Sequence, residues 1–178
     1  MLHKNNKMNY NSSISLLALS FLFVCLTACQ PKKPVIINPD EILLKHNFSD
    51  LEGNSIDIKQ YLGKPLLINY WATWCKYCLK DLPVVKQFAD YHKRSHNVIL
   101  LSDESTEKIK QFKAKQAYDF IYLKSDKSLS TYGIRQRPAF AYFSAAGKHL
   151  ETINGSVDVK ILFGMVEYHK AKQHKATP

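Results

Sequence analysis

The stretch Trp71-Ala72-Thr73-Trp74-Cys75-Lys76-Tyr77-Cys78-Leu79-Lys80-Asp81-Leu82-Pro83 constrains this chain more than any other part of it. It puts a Cys-x-x-Cys pair where a strand gives way to a helix. Ahead of it, Leu66-Leu67-Ile68-Asn69-Tyr70-Trp71 is a short apolar run bounded by Gly63-Lys64-Pro65, the pattern of a buried strand. Behind it, Leu82, Val85, Phe88/Ala89 and His92 recur at the spacing of an amphipathic helix, which Pro83, lacking a backbone donor, should kink. Cys75 then falls at the helix N-terminus, where unpaired backbone N–H groups and the helix dipole favour a thiolate. Disulfide exchange needs one accessible thiolate to attack and a second thiol close by to resolve the mixed disulfide. Cys75 is the expected nucleophile, and Cys78, one helical turn on and more buried, the expected resolving thiol; together they form a redox-active disulfide.

Zinc sites also use Cys-x-x-Cys, but no second cysteine pair completes one, and His46, His92, His96, His149, His169 and His174 show no ligand spacing. No metal is expected. The chain has four cysteines, and the other two, Cys25 and Cys29, lie in or at the end of an apolar N-terminal run. None remains for a structural disulfide, so the domain must rely on an ordinary hydrophobic core. The net charge of +10 comes from lysines scattered along the chain, which reads as a solvated basic surface; attraction to anionic membrane or to an acidic partner is the alternative. Nucleic acid is not an expected partner.

Residues 1–13 are polar with Lys4 and Lys7, and residues 14–28 are apolar, the n-region and h-region of a secretory signal. A membrane span needs roughly 20 apolar residues, and this run is shorter. Leu26-Thr27-Ala28-Cys29 resembles a bacterial lipobox, which implies cleavage before Cys29 and its lipidation. An uncleaved signal anchor and a soluble secreted form are the alternatives, and all three place the domain outside the cytoplasm. The expected organisation is a signal peptide (1–28), a lipidated N-terminus and proline-containing tether (29–43), one domain (44–172) and a basic C-terminal tail (173–178). By resemblance to lipoprotein sorting, Gln30 favours the outer membrane.

Within the domain, residues 48–58 alternate around Glu52-Gly53-Asn54 as a leading β-hairpin, and 97–101 form a second buried strand. Residues 102–106 offer N-caps for a helix burying Ile109 and Phe112. A strand over 120–123, a short helix over 126–132 stopped by Gly133, and strands over 138–144 and 149–153 follow. A closing helix over 157–169 turns Val159, Leu162, Phe163 and Val166 inward. The fold class is α/β: a mixed sheet covered by helices on both faces, with an N-terminal hairpin extension.

Trp-Ala-Thr-Trp-Cys-x-x-Cys with Pro83 five residues beyond the second cysteine resembles the active site of thioredoxin-fold proteins, and more narrowly of the TlpA/ResA type of bacterial extracytoplasmic thiol-disulfide oxidoreductase. The likeness runs from Phe48-Ser-Asp-Leu-Glu-Gly53 and Leu62-Gly-Lys-Pro65 to Tyr132-Gly-Ile134, Arg137-Pro138 and Ala146-Gly-Lys148. It implies a thioredoxin fold in which Pro138 is cis beside the disulfide and lines the substrate site. Arg137 stands where Thr or Ile is more usual. Asn69 occupies the place of a buried Asp that assists proton transfer in thioredoxins proper; an amide cannot serve as a base. Asp81 matches a carboxylate that would help deprotonate Cys78, and a first-turn acid complementing the helix dipole is its plainer reading. Trp74, Lys76 and Tyr77 are assigned to the substrate surface, and Trp71 to shielding the pair and to core packing. Lys76 and Arg137 both set positive charge near Cys75, which should raise the reduction potential.

The activity implied is disulfide exchange with cysteine-containing exported proteins, most often as a reductant, for example of apocytochrome c. It needs no cofactor and is kept running by a membrane thiol-disulfide donor. An oxidant or isomerase is the nearest alternative. A copper chaperone would have one more residue in the spacer, and a thiol peroxidase would not have Ile68 and Ala72 in its Pro and Thr/Ser positions.

Overall fold

The computed structural model describes residues 46–116 and 118–176, which lie in one compact unit. Cys29, the tether and the signal segment lie outside the described residues. Among the described residues seven strands form one sheet: β1 (Phe48–Ser49), β2 (Ser55–Ile56), β3 (Leu66–Tyr70), β4 (Asn97–Ser102), β5 (Ile121–Ser125), β6 (Ala139–Phe143) and β7 (His149–Asn154), in the order β2-β1-β5-β4-β3-β6-β7. β3, β4 and β5 are parallel, and β6, β7 and the β1–β2 hairpin join antiparallel, so the sheet is mixed as expected. The hairpin pairs over only two residues a side. Asp50 closes its loop, Oδ1 accepting from the Glu52 and Asn54 backbone N–H groups at 2.9 and 2.8 Å.

Among the described residues three α-helices accompany the sheet: α1 (Lys76–Tyr91), α2 (Thr106–Lys115) and α3 (Val159–Ala176). They do not divide between the faces. Leu67, Trp71, Leu100, Tyr122, Phe140 and Tyr142 turn to the face that receives Cys78, Leu82, Val85 and Phe88 of α1, Ile109 of α2, and Leu162, Met165 and Val166 of α3. Leu66, Ile68, Tyr70, Ile99, Leu101, Ala141 and Phe143 turn the other way, onto Phe48 and two 3-10 turns, Ile58–Tyr61 and Leu129–Tyr132. Helices thus cover both faces as expected, the α-helices on one and the 3-10 turns on the other, and handedness explains why the α-helices share a face. The steps from β3 to β4 and from β4 to β5 move in one direction across the sheet, and right-handed crossovers then deliver α1 and α2 to the same side.

Other boundaries differ in detail. Residues 126–132 form a single 3-10 turn over Leu129–Tyr132, closed by Gly133 at φ 80°, a conformation that a residue with a Cβ rarely adopts. Residues 173–176, expected as a tail, are the last turn of α3. Met165 is buried in α3, while Phe163 is only half-buried. α1 runs through Pro83, whose missing N–H deprives the Leu79 carbonyl of its usual donor.

Candidate active site

Three chain segments meet beyond the C-terminal ends of the parallel strands: the loop 71–75 after β3, Asp103-Glu104 after β4, and Arg137-Pro138 before β6. β3 is the strand from which the chain departs to β4 on one side while β6 pairs on the other. In open α/β sheets that is the crevice where ligands bind.

Cys75 is the N-cap of α1 and is joined to Cys78 by a disulfide. Its sulfur accepts the Cys78 backbone N–H at 3.2 Å, one of the orphan donors of the helix start. Cys75 is 5% exposed and Cys78 0%, so the first cysteine is the less enclosed of the two. Trp71 and Ala72 beneath are fully buried, whereas Trp74 and Tyr77 stand 66% and 64% exposed on either side of Cys75 in the chain. Such exposure of two large rings suits a contact surface better than a core. Lys76 is exposed as well. Among the described residues no group of His, Cys, Asp and Glu side chains has the arrangement of a metal site.

The Arg137–Pro138 bond is cis, as the resemblance implies. Arg137 is not the bare cation that its position in the chain suggested. Its Nη2 donates to Asp103 Oδ1 at 2.6 Å, and its guanidinium lies over the Trp74 ring, 5.6 Å from the centroid. The positive charge expected to act on Cys75 is therefore met by a carboxylate, and Lys76 alone keeps the role assigned to both.

Asp81 is buried at 3% exposure. One helical turn beyond Cys78, it lies on the same side of α1. Its Oδ2 accepts the Val157 N–H at 3.1 Å just before α3. Burial pushes its carboxyl pKa up, opposed by the Val157 and Ser156 hydrogen bonds and by Lys80. A dipole-complementing acid in solvent would feel no such burial, so the plainer reading of Asp81 loses ground. Asn69 is fully buried with both polar side-chain atoms unpartnered among the described residues.

Thr73, Asp103 and Glu104 were not singled out from sequence. Glu104, 9% exposed, accepts the Thr73 N–H at 2.5 Å and the Thr73 hydroxyl at 2.9 Å, which ties down the loop that carries Trp74 and Cys75. Asp103 accepts Arg137 with one oxygen and the Leu129 N–H at 2.9 Å with the other. Adjacent carboxylates at the end of β4 thus hold the two arms of the site, one each. Their signal was position: both precede Ser105, the N-cap of α2, and so have no capping duty of their own.

Comparison with known proteins agrees with this geometry. Residues 39–151 match the AhpC/TSA family. Thiol-disulfide oxidoreductase ResA of Bacillus thuringiensis (strain Al Hakam) is 31% identical over 123 residues, covering 67% of this chain and 71% of that protein. The structure of MTB DsbF in its mixed oxidized and reduced forms superposes with a TM-score of 0.62 at 25% identity, over 71% of this chain and 96% of that one. The exposed lipoprotein thioredoxin Etrx1 of Streptococcus pneumoniae strain TIGR4 superposes with a TM-score of 0.60 at 24% identity, over 68% and 97%, and supports the fold alone. With a thioredoxin fold, a Cys-x-x-Cys disulfide at a helix start and a cis-proline arm, the chain belongs to the AhpC/TSA family and, within it, to the ResA-type thiol-disulfide oxidoreductases.

Proposed function

We propose that this oxidoreductase works outside the cytoplasm, held to a membrane through a lipidated Cys29, and reduces disulfides of exported proteins. One observation carries the chemical part: Cys75 caps α1 and keeps some exposure, whereas Cys78, joined to it by the disulfide, keeps none. In the reduced protein the Cys75 thiolate attacks one sulfur of a client disulfide, forming a mixed disulfide and releasing the other client sulfur as a thiolate. Cys78, having given up its proton, then attacks the Cys75 sulfur. That restores the Cys75–Cys78 bond and releases the second client thiolate, so two electrons pass to the client. Asp81, one turn beyond Cys78 on the same side of α1, takes the Cys78 proton, and the burial that raises its carboxyl pKa supports that role. Trp74, Tyr77, Lys76 and the backbone at Arg137-Pro138 form the client surface. A membrane thiol-disulfide donor returns the protein to its dithiol form, and apocytochrome c fits as a client of this reaction type. The anchor rests on the apolar run at 14–28 ending in Leu26-Thr27-Ala28-Cys29, with Gln30 favouring the outer membrane.

Trapping tests the reading. Cys78→Ser leaves Cys75 able to attack but not to be resolved, so covalent adducts should accumulate and name the client; Cys75→Ser should trap nothing. Adducts through Cys78 instead would refute the order of attack, and mass spectrometry finding an unmodified Cys29 in membranes would refute the anchor.

A further inference from the structure

Between α2 and Thr73, two residues before Cys75 in the active-site loop, lies a surface cavity of about 270 Å³ lined by Thr73, Lys108, Gln111, Phe112 and Lys115. The four helical residues recur at i, i+3, i+4 and i+7, so they form one stripe of α2, and the stripe faces the loop that ends in Cys75. Phe112 supplies an apolar floor. It is half-buried, and its ring centroid is 4.8 Å from that of Trp71, which ties the floor to the core beneath the active-site loop. Thr73 forms the wall toward Cys75, fixed by Glu104 through both its N–H and its hydroxyl. Lys108 and Lys115 form the rim, both exposed, and neither takes part in an ion pair among the described residues.

Helix stability accounts for one of these lysines only. Lys115, in the last turn, complements the helix dipole. Lys108 is the third residue of α2, where a cation opposes the dipole. The nearby acids do not offset the rim. Glu104 is turned inward to Thr73, Asp103 is paired with Arg137, and Glu107 lies about 100° round the helix from Lys108. Lys76 and Lys80, exposed at the start of α1, add charge of the same sign next to the cysteines.

We propose that this stripe is the client-docking extension of the active site, and that it selects cysteine-containing polypeptides with acidic side chains close to the cysteine. An extended client engaged at Cys75 would lay an apolar side chain on Phe112 and carboxylates against Lys108 and Lys115. The proposal deepens the oxidoreductase reading above and rests on it. Electrostatic complementarity of this kind acts mainly on encounter rate and partner choice, so its signature is a salt-sensitive preference.

The test uses the reduced protein and three disulfide-bonded peptides identical except for two residues flanking the first cysteine, which are Glu, Gln or Lys. The readout is the second-order rate constant of disulfide transfer, with the Gln peptide as internal reference for every protein. Wild type should favour the Glu peptide by ~10-fold over the Gln peptide at low ionic strength and disfavour the Lys peptide, with both ratios approaching one at 1 M salt. Lys108→Glu/Lys115→Glu should invert the order and Lys108→Gln/Lys115→Gln should level it, while Lys93→Glu, beyond the far end of α1, keeps the wild-type ratios. Equal rates for the Glu and Gln peptides in wild type, or a preference that survives both double substitutions, overturns the docking proposal. Failure of all three peptides to react overturns the oxidoreductase reading on which it depends.

Discussion

Arg137 donates to Asp103 Oδ1 at 2.6 Å across 34 positions of chain, with both side chains largely buried at 18% and 17% exposure. The pair sets the charge beside the disulfide to near neutral at the residue preceding Pro138. It also holds the guanidinium over Trp74, the residue next to the nucleophile.

Asp103→Asn should therefore leave Arg137 uncompensated. The dithiol form would be favoured, with the reduction potential rising by up to about 30 mV for each tenfold gain in thiolate stabilisation, and alkylation of Cys75 by iodoacetamide at pH 6 should accelerate. Asp103→Asn with Arg137→Met should bring both quantities back toward wild type. A potential that stays put in the single variant would show that Arg137 is too well solvated to act on Cys75.

Glu104→Gln removes the charge from a carboxylate that serves two donors of Thr73 and turns one acceptor into a donor. The expected cost is about 1–3 kcal/mol of stability. Faster hydrogen exchange at the Thr73 amide, read with urea unfolding, should locate that cost in the loop before Cys75.

Asn69 is fully buried, and among the described residues neither its amide nitrogen nor its carbonyl oxygen has a partner. Replacing it with leucine, which has the same branched arrangement of heavy atoms, should stabilise the fold by about 1–3 kcal/mol in urea unfolding, because the desolvation penalty disappears while no hydrogen bond is lost. A loss of stability would mean that the amide is satisfied in solution.

His96 is buried between α1 and β6, with its ring nitrogens 2.9 Å from the Ser95 hydroxyl and 3.0 Å from the Tyr142 hydroxyl. Burial first, then the His92 ring and Lys170, push its pKa down to about 4. His169, paired with Glu151, approaches Tyr142 from α3. Between the ordinary value near 6.5 and about 4, the unfolded chain holds a proton at His96 that the folded protein does not. Stability is therefore full above pH 6.5 and falls by about 1–3 kcal/mol as pH drops toward 4. Urea unfolding at pH 7 and pH 4.5 measures the loss, and His96→Gln should shrink the difference between the two.

Much of the site was legible because its chemistry is local. Two cysteines one turn apart, a strand before them and a helical period after them specify a disulfide at a helix start, since orphan N–H groups belong to any helix end. Asp81 on the same side of the helix follows from spacing alone. The cis proline was legible only through the likeness of the residues around it, not from any local rule. The partition of α-helices was not legible, because which face a crossover helix covers depends on strand order, and strand order is a pairing between distant segments.

By itself, then, the sequence determined the elements, the cysteine pair and which of the two heads the helix, all consequences of interactions within a few residues. Tertiary structure alone decided what surrounds the pair. It brought Asp103 to Arg137, Glu104 to Thr73 and the Val157 N–H to Asp81, contacts spanning 34, 31 and 76 positions. A charge that sequence could only count as positive became a compensated one because β4 ends beside the arm that enters β6. Which ions meet is set by where strands stop in the sheet, and no periodicity along the chain records it.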